Sequence, residues 1–385
     1  MAVSTKNFNY LQASASPMAG TAGYLDSILY ACLVTGYNSK TVSSISVSSN
    51  VATITTSTSH NLTANDIIVI SGANESIYND EFRIKAITSS TAFTVDLITA
   101  DGSATGTITC KIAPLGYSRV YQKTNVSVYR APAGTRFYLR VDDTQAQYAT
   151  VSAYESMTTV DAGTNLIGTV YWKKSNVSDT TTREWYLIGN NKTFYLFSAW
   201  ISGIYSTLHA GYMFGDINSV KANDSYASML IGHSVSNPGN PSANQSFSYI
   251  TFSTSAAYYT GHYLARAATG IVGGINCFKF SVANGQMGYS GGMLYPNPAD
   301  NGLHLYPVDV GEVTGPVYRG RMPGLYVPLE MTTGAFASND RSVVINGKTY
   351  MAIKVNCATN SPGNCFFDLG EIGRASCRER VYVLV

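Results

Sequence analysis

A run of period-two segments with no helix between them constrains this chain more than any other feature. From Thr41 onward apolar and polar residues alternate in short stretches: Ser44-Ile45-Ser46-Val47, Val51-Ala52-Thr53-Ile54-Thr55, Asp66 to Gly72, Phe82 to Ile87, Thr91 to Leu97, and Gly106 to Ile112. Successive side chains of a strand point to opposite faces, so each stretch reads as a half-buried strand. Ser49-Asn50 sits between the first two and reads as a hairpin turn. Six short strands at such spacing specify a small barrel or sandwich over residues 42–112.

One helix precedes them. From Thr21, the apolar residues Leu25, Ile28, Leu29, Cys32 and Leu33 recur at i, i+3, i+4, i+7 and i+8, which is one helical face. Asp26 lies near its positive end and Gly36 fits its stop. A lone helix of this length is marginal in water, so residues 1–41 are expected to be an arm and helix docked on the rest of the chain.

After Ala113 the strands become richer in aromatic and long polar side chains: Leu115 to Tyr121, Ser127 to Arg130, Arg136 to Asp143, Glu184 to Ile188, Thr193 to Phe197, Ser342 to Ile345, and Thr349 to Val355. Gly189-Asn190-Asn191-Lys192 and Asn346-Gly347 are hairpin turns between adjacent pairs. The expected fold class is therefore mainly β: a β-sandwich body over residues 113–370, an inserted small β-barrel that projects outward, and one N-terminal helix.

Charge narrows the function. Only 12% of the residues are Asp, Glu, Lys or Arg, about half the usual share of a soluble domain. Such a surface suits permanent packing against other subunits better than free diffusion. The net charge is +2 with no basic cluster, so no nucleic-acid partner is expected. No apolar stretch approaches the roughly 20 residues of a membrane span, and Met1 to Tyr10 lacks a signal-peptide core. Membrane insertion is not expected, and synthesis in a cytoplasm is.

Six cysteines, Cys32, Cys110, Cys277, Cys357, Cys365 and Cys377, show no C-x-x-C spacing. Cys357 and Cys365 flank a turn and are placed to face each other across a hairpin, but in a reducing cytoplasm two buried thiols are favoured. The five histidines, His60, His209, His233, His262 and His304, are scattered and suggest no metal site. Gly270-Ile271-Val272-Gly273-Gly274 has no helix pattern after it, which disfavours a phosphate cradle. There is no G-x-S-x-G elbow and no P-loop.

Two carboxylate pairs invite a glycosidase reading. Asp142 and Asp143 are adjacent at a strand end, so their side chains diverge and cannot jointly flank a glycosidic bond. The favoured reading pairs Asp142 with Arg140 or Arg130 and has Asp143 open the turn. Glu155 and Asp161 would meet only through an unseen fold. The expectation is no catalytic residue, no cofactor and no metal. The many aromatics, among them Trp185-Tyr186, Phe194-Tyr195, Tyr258-Tyr259 and Tyr263, divide between core and exposed contact residues. Exposed tyrosines serve a sister subunit first and a cell-surface sugar second.

Two resemblances add to this reading. His60-Asn61-Leu62, Asp66, Ile68, Ile70, Gly72, Tyr78-Asn79, Phe82-Arg83-Ile84 and Phe93-Thr94-Val95 resemble a β-barrel module of phage virion proteins. It is often named after the first catalytic-cysteine half-domain of ubiquitin-activating enzymes. That chemistry does not carry over, because Cys110 lies in a strand pattern without an activating partner. Asp66 and Asn79 read as turn residues. Ala113-Pro114-Leu115-Gly116-Tyr117, Val128-Tyr129-Arg130, Leu139 to Thr144, Tyr154-Glu155-Ser156-Met157 with Asp161 and Gly163-Thr164, and Phe214-Gly215-Asp216-Ile217 resemble uncharacterised virion proteins of tailed phages. That second likeness, with the helix, covers most of residues 10–370.

Membership implies a particle component, tail or head, and no known reaction. With the low charge, the expected function is a non-enzymatic structural component, assembled in the host cytoplasm and packed against copies of itself and other virion proteins. Tail or baseplate is preferred. A capsid head-decoration protein and a host-glycan-binding or glycan-cleaving tail protein are the alternatives.

Residues 371–385 break every local trend. Five of the eleven positions from Glu371 to Val381 are charged, and the string resembles the in-frame translation of a common sequencing adapter. Tyr382 to Val385 departs from it. The natural sequence is expected to leave this chain near Leu369, and without the tail the net charge becomes 22 − 21 = +1.

Overall fold

The computed structural model describes residues 5–201, 209–236, 260–280, 294–313, 317–330, 343–345, 347–358 and 361–370, with Thr332 and Phe336 as single positions. The adapter-like residues 371–385, Tyr258 and Tyr259 lie outside them.

The chain opens with strand β1 (Lys6–Asn9) and helix α1 (Tyr24–Tyr30), which continues as a π-helical turn over Ala31–Thr35. Leu25, Ile28, Leu29, Cys32 and Leu33 are all buried, so the apolar stripe faces the body as its spacing requires. The stop is Gly36, whose φ of 68° suits glycine. A Cβ there would lie 2.2 Å from the carbonyl oxygen of Ile112. The helix begins three residues after Thr21, and no side chain of its own N-terminus caps it.

The barrel consists of β2 (Tyr37–Ser48), β3 (Val51–Thr56), β4 (Ile67–Ala73), β5 (Glu81–Ile87), β6 (Ala92–Asp96), β7 (Gly102–Ser103) and β8 (Gly106–Ile112). Six strands run β3-β6-β5-β4-β8-β2, and β2 pairs back with β3 to close the ring, while β7 clips onto β2. Closure removes the free edges that an open sheet of this size would expose. The first strand starts at Tyr37, ahead of residue 42 where the alternation becomes clean. Ser49 and Asn50 both take positive φ, the geometry of a two-residue hairpin turn matched to strand twist. Ile45, Ile54, Ile68, Ile84, Phe93 and Val95 fill the interior.

The body begins with a meander, β9 (Ser118–Lys123), β10 (Val126–Arg130), β11 (Tyr138–Asp142), β12 (Tyr148–Met157) and β13 (Gly163–Lys173), whose strands pair in sequence order. The remaining strands are β14 (Trp185–Gly189), β15 (Thr193–Ser198), β16 (Ala210–Asp216), β17 (Asn218–Ser219), β18 (Ser228–Ile231), β19 (His262–Arg266), β20 (Val272–Phe280), β21 (Leu305–Glu312), β22 (Tyr318–Pro328), β23 (Val343–Ile345), β24 (Lys348–Ala358) and β25 (Ser361–Asp368). They form one large sheet ordered β1-β14-β15-β16-β18-β19-β20-β21-β22-β25-β24-β23, with β17 on β22. The N-terminal arm is thus an edge strand of the body, with Lys6 opposite Gly189.

Three layers result. Trp172 of the meander stacks on Tyr212 at 5.7 Å and meets Phe194 edge-on at 6.0 Å. On the other side Tyr195 and Phe197 meet Phe367 at 4.9 and 5.6 Å. The large sheet therefore curls so that β25 covers β15, and β14 and β15 become a middle layer with every side chain buried. Alternate residues serve alternate cores: Leu187, Phe194 and Leu196 one, Ile188, Tyr195 and Phe197 the other. Burial on both faces explains why Trp185 to Ile188 and Phe194 to Phe197 are unbroken apolar runs. Where the meander approaches β20 the fit demands glycine: a Cβ on Gly274 would lie 1.6 Å from the Ile167 carbonyl oxygen.

The predicted hairpins form. Asn190 Oδ1 accepts from the Lys192 and Thr193 amides at 2.7 and 2.9 Å, an Asx turn between β14 and β15. Ile345 pairs with Lys348, leaving two residues between the strands, of which Gly347 has φ 76° and Asn346 lies outside the described residues. Register corrects the cysteine pairing: Cys365 sits opposite Ile353, whereas Cys357 lies toward the turn. The Cys365 side chain is buried; that of Cys357 lies outside the described residues.

Candidate functional site

The meander has two unlike faces. Leu139, Val141, Val151, Val170 and Trp172 point inward and are fully buried. On the outer face alternate positions carry Tyr138, Arg140, Asp142, Thr150, Ser152, Tyr154, Thr169 and Tyr171, with Tyr121 and Tyr148 beside them. These five tyrosines are half-buried, so each lies on the sheet and keeps part of its ring open to solvent. Tyr138 and Tyr154 are direct cross-strand neighbours, and Tyr148 meets Tyr171 edge-on at 5.4 Å. Ser152 and Thr169 share a hydroxyl hydrogen bond of 2.9 Å across β12 and β13. The Arg130 guanidinium lies 4.9 Å from the Tyr138 ring centre.

Charges on this face are tied to one another. Arg140 donates to Asp142 at 3.2 Å and to Asp161 at 2.9 Å, and Lys123 reaches Asp161 at 2.6 Å. These two cations, Lys123 first, hold the Asp161 carboxyl below its ordinary range. What remains for a partner is a field of phenol rings and hydroxyls. Tyrosine in that setting offers large contact area at low entropic cost.

The four carboxylates weighed as catalytic candidates are dispersed. Asp142 pairs with Arg140, and its Oδ1 accepts from the Thr144 amide and hydroxyl, so Asp142 shapes the turn. Asp143 does not open the turn; its side chain is wholly buried against Lys174, whose Nζ donates to its Oδ1. Lys174 Nζ also donates to the carbonyl oxygens of Thr21 and Gln145 at 2.7 and 2.8 Å. Asp143 Oδ2 accepts the Asp26 amide at 3.1 Å, so this remote carboxylate caps helix α1. Burial pushes the Asp143 carboxyl up to about 6 against the pull of Lys174, and burial lowers Lys174. Glu155 is clamped by Arg266 at 2.6 Å to each oxygen, which holds it below the usual carboxylate range. Nothing brings Glu155 and Asp161 together.

The other candidates fall into structural roles. His60 is a core residue: Nδ1 accepts the Leu62 amide at 2.9 Å, Nε2 meets the Ser89 carbonyl oxygen at 3.1 Å, and Phe93 packs against the ring. His304 lies between Glu330 (2.6 Å) and Asp300 (3.1 Å), and these carboxylates, Glu330 first, raise its basicity. Among the described residues no three His, Cys, Asp or Glu side chains form a group able to hold a metal ion. Cys110 is buried in β8, and burial pushes its thiol up to about 11, the opposite of an activated cysteine. Strand β20 begins inside the glycine run, at Val272, and takes in Gly273 and Gly274. Asn79 braces the backbone of Ala73 through two bonds, and Asp66 holds the Thr63 amide as a turn residue does. No helix among the described residues is long and apolar enough to cross a membrane.

Sequence reasoning missed the Asp143–Lys174 pair. Lys173-Lys174 is an ordinary dipeptide in sequence, and its burial depends on the arm and on Gln145 closing over it.

No family model matches the chain, and no curated protein matches it. Among solved structures, phage phi92 endosialidase aligns over 91% of this chain and 53% of its own, at 11% identity and a TM-score of 0.17. The chain thus spans about half the length of that protein, and a superposition this loose carries no argument about mechanism.

Proposed function

We propose that this chain is a non-enzymatic building block of a tailed-phage particle, placed in the tail or baseplate, and that it works by packing against copies of itself and other particle proteins. The observation that carries the reading is the outer face of the meander. Five half-exposed tyrosines, with serine and threonine between them and few unpaired charges, make a contact surface of the composition that buried protein interfaces favour. The low overall charge and the sequence resemblance to phage virion proteins point the same way. The glycosidase reading draws no support from the carboxylates, since Glu155 and Asp161 are each engaged by cations and Asp143 is buried.

The test is peptide mass spectrometry on purified particles split into heads and tails. Abundant peptides from residues 5–369 in tails support the proposal. Abundance in heads moves the protein to capsid decoration, and absence from both overturns it. A glycan array on the isolated protein separates subunit contact from sugar recognition by the same tyrosines.

A further inference from the structure

The Asp143–Lys174 pair has more than the geometry of an ordinary ion pair. Both side chains are wholly buried, one at the end of β11 and the other just past β13. Solvent cannot reach them to separate the charges or to hydrolyse a product. The amine is aimed: two carbonyl oxygens, of Thr21 and Gln145, hold Nζ from one side and leave it against the Asp143 carboxyl on the other. The carboxyl is polarised: the Asp26 amide donates to Oδ2, the oxygen that does not meet Lys174. An amine held against one carboxyl oxygen and a backbone N–H on the other supply the two groups that addition to the carboxyl carbon calls for.

We infer that Asp143 and Lys174 join in an intramolecular isopeptide bond, formed in the folded chain with loss of one water. A proton first passes from the Lys174 ammonium to Asp143 Oδ1, giving a neutral amine beside a neutral acid. Burial shifts both groups in that direction. Nζ then adds to Cγ, and the negative charge that develops on Oδ2 is held by the Asp26 amide. A second proton from nitrogen goes to Oδ1, the Cγ–Oδ1 bond breaks, and water leaves. An ammonium and a carboxylate have become an amide and water, with no oxidant or cofactor. The bond would staple the end of β11 to the end of β13, under helix α1 and the arm.

The experiment is denaturing intact-mass spectrometry of the purified full chain, followed by a tryptic digest. The expected mass is about 18 Da below that of the sequence. Succinimide formation at Asp101-Gly102 would give the same loss, so the peptide map decides. The bond requires residues 141–173 and 174–183 to appear as one branched peptide. Recovery of the 141–173 and 175–183 peptides separately, at full intact mass, overturns the inference. Asp143→Asn supplies a second reading, because an amide donor releases ammonia, so the branched peptide should persist with a loss of about 17 Da. Lys174→Ala should abolish it; a residual loss of 18 Da in that variant would assign the change to Asp101 and overturn the inference.

Discussion

In the barrel a strand hides one side and shows the other. β3 buries Ala52, Ile54 and Thr56 while Val51, Thr53 and Thr55 remain partly open. In the body, β14 and β15 show nothing, since one set of alternate residues faces the meander and the other faces β25. The barrel completes itself from 76 consecutive residues, Tyr37 to Ile112, and closes on its own hydrogen bonds. The middle layer of the body is stable only when chain segments far apart in sequence cover it from both sides. One molecule thus combines a unit of local contacts with a unit of distant ones, and the seam between them joins apolar contacts, Phe8 against Tyr37 among them, to polar ones. Gln12 donates to Asp66 at 2.9 Å, and Lys6 reaches Glu81 at 2.5 Å.

The sharpest way to break this comparison is Trp172→Ala. It removes the ring that couples the meander to the middle layer, with an expected loss of about 3–5 kcal/mol in urea unfolding. A loss below about 1 kcal/mol would mean that the middle layer does not need its outer cover. Gln12→Ala comes next, at about 1–3 kcal/mol, because it removes two buried hydrogen bonds, to Asp66 and from the Asn9 amide. Calorimetry should then resolve a separate barrel transition; a single unchanged transition would show that the seam is held elsewhere. Ile54→Val should cost about 0.5–1.5 kcal/mol, and hydrogen exchange should place the change in the barrel amides alone.

Two electrostatic changes are smaller. The Arg266 pair keeps Glu155 ionised below its unfolded range, so its contribution is present above that range and fades as pH falls through the depressed value. Stabilities of the parent and Arg266→Met should therefore differ at neutral pH and converge in acid. Lys123→Ala, at an exposed pair that solvent screens, should move the urea midpoint least of all.

Legibility followed the same divide. All six barrel strands could be read from alternation, because a half-buried strand writes its two faces into its sequence. The middle strands were legible as strands, yet their place between two cores was not, since a run such as Phe194-Tyr195-Leu196-Phe197 does not say which neighbours cover it. The outer tyrosines were foreseen as a class but not as one face, which needed the register of β11 on β12. The role of Asp143 was misread because its partner lies 31 residues away. A short-range turn signal was assigned to Asp143 when it belonged to Asp142.

The pairing of β1 with β14 sets an order of events during synthesis. Lys6 leaves the ribosome 183 residues before Gly189, its partner in the sheet. At about 5–20 residues per second that interval is roughly 10–40 s. The barrel can form within it, since its strands are all made by Ile112. Strand β1 is then held waiting beside a finished module, and docking of β14 is the step that ends its wait.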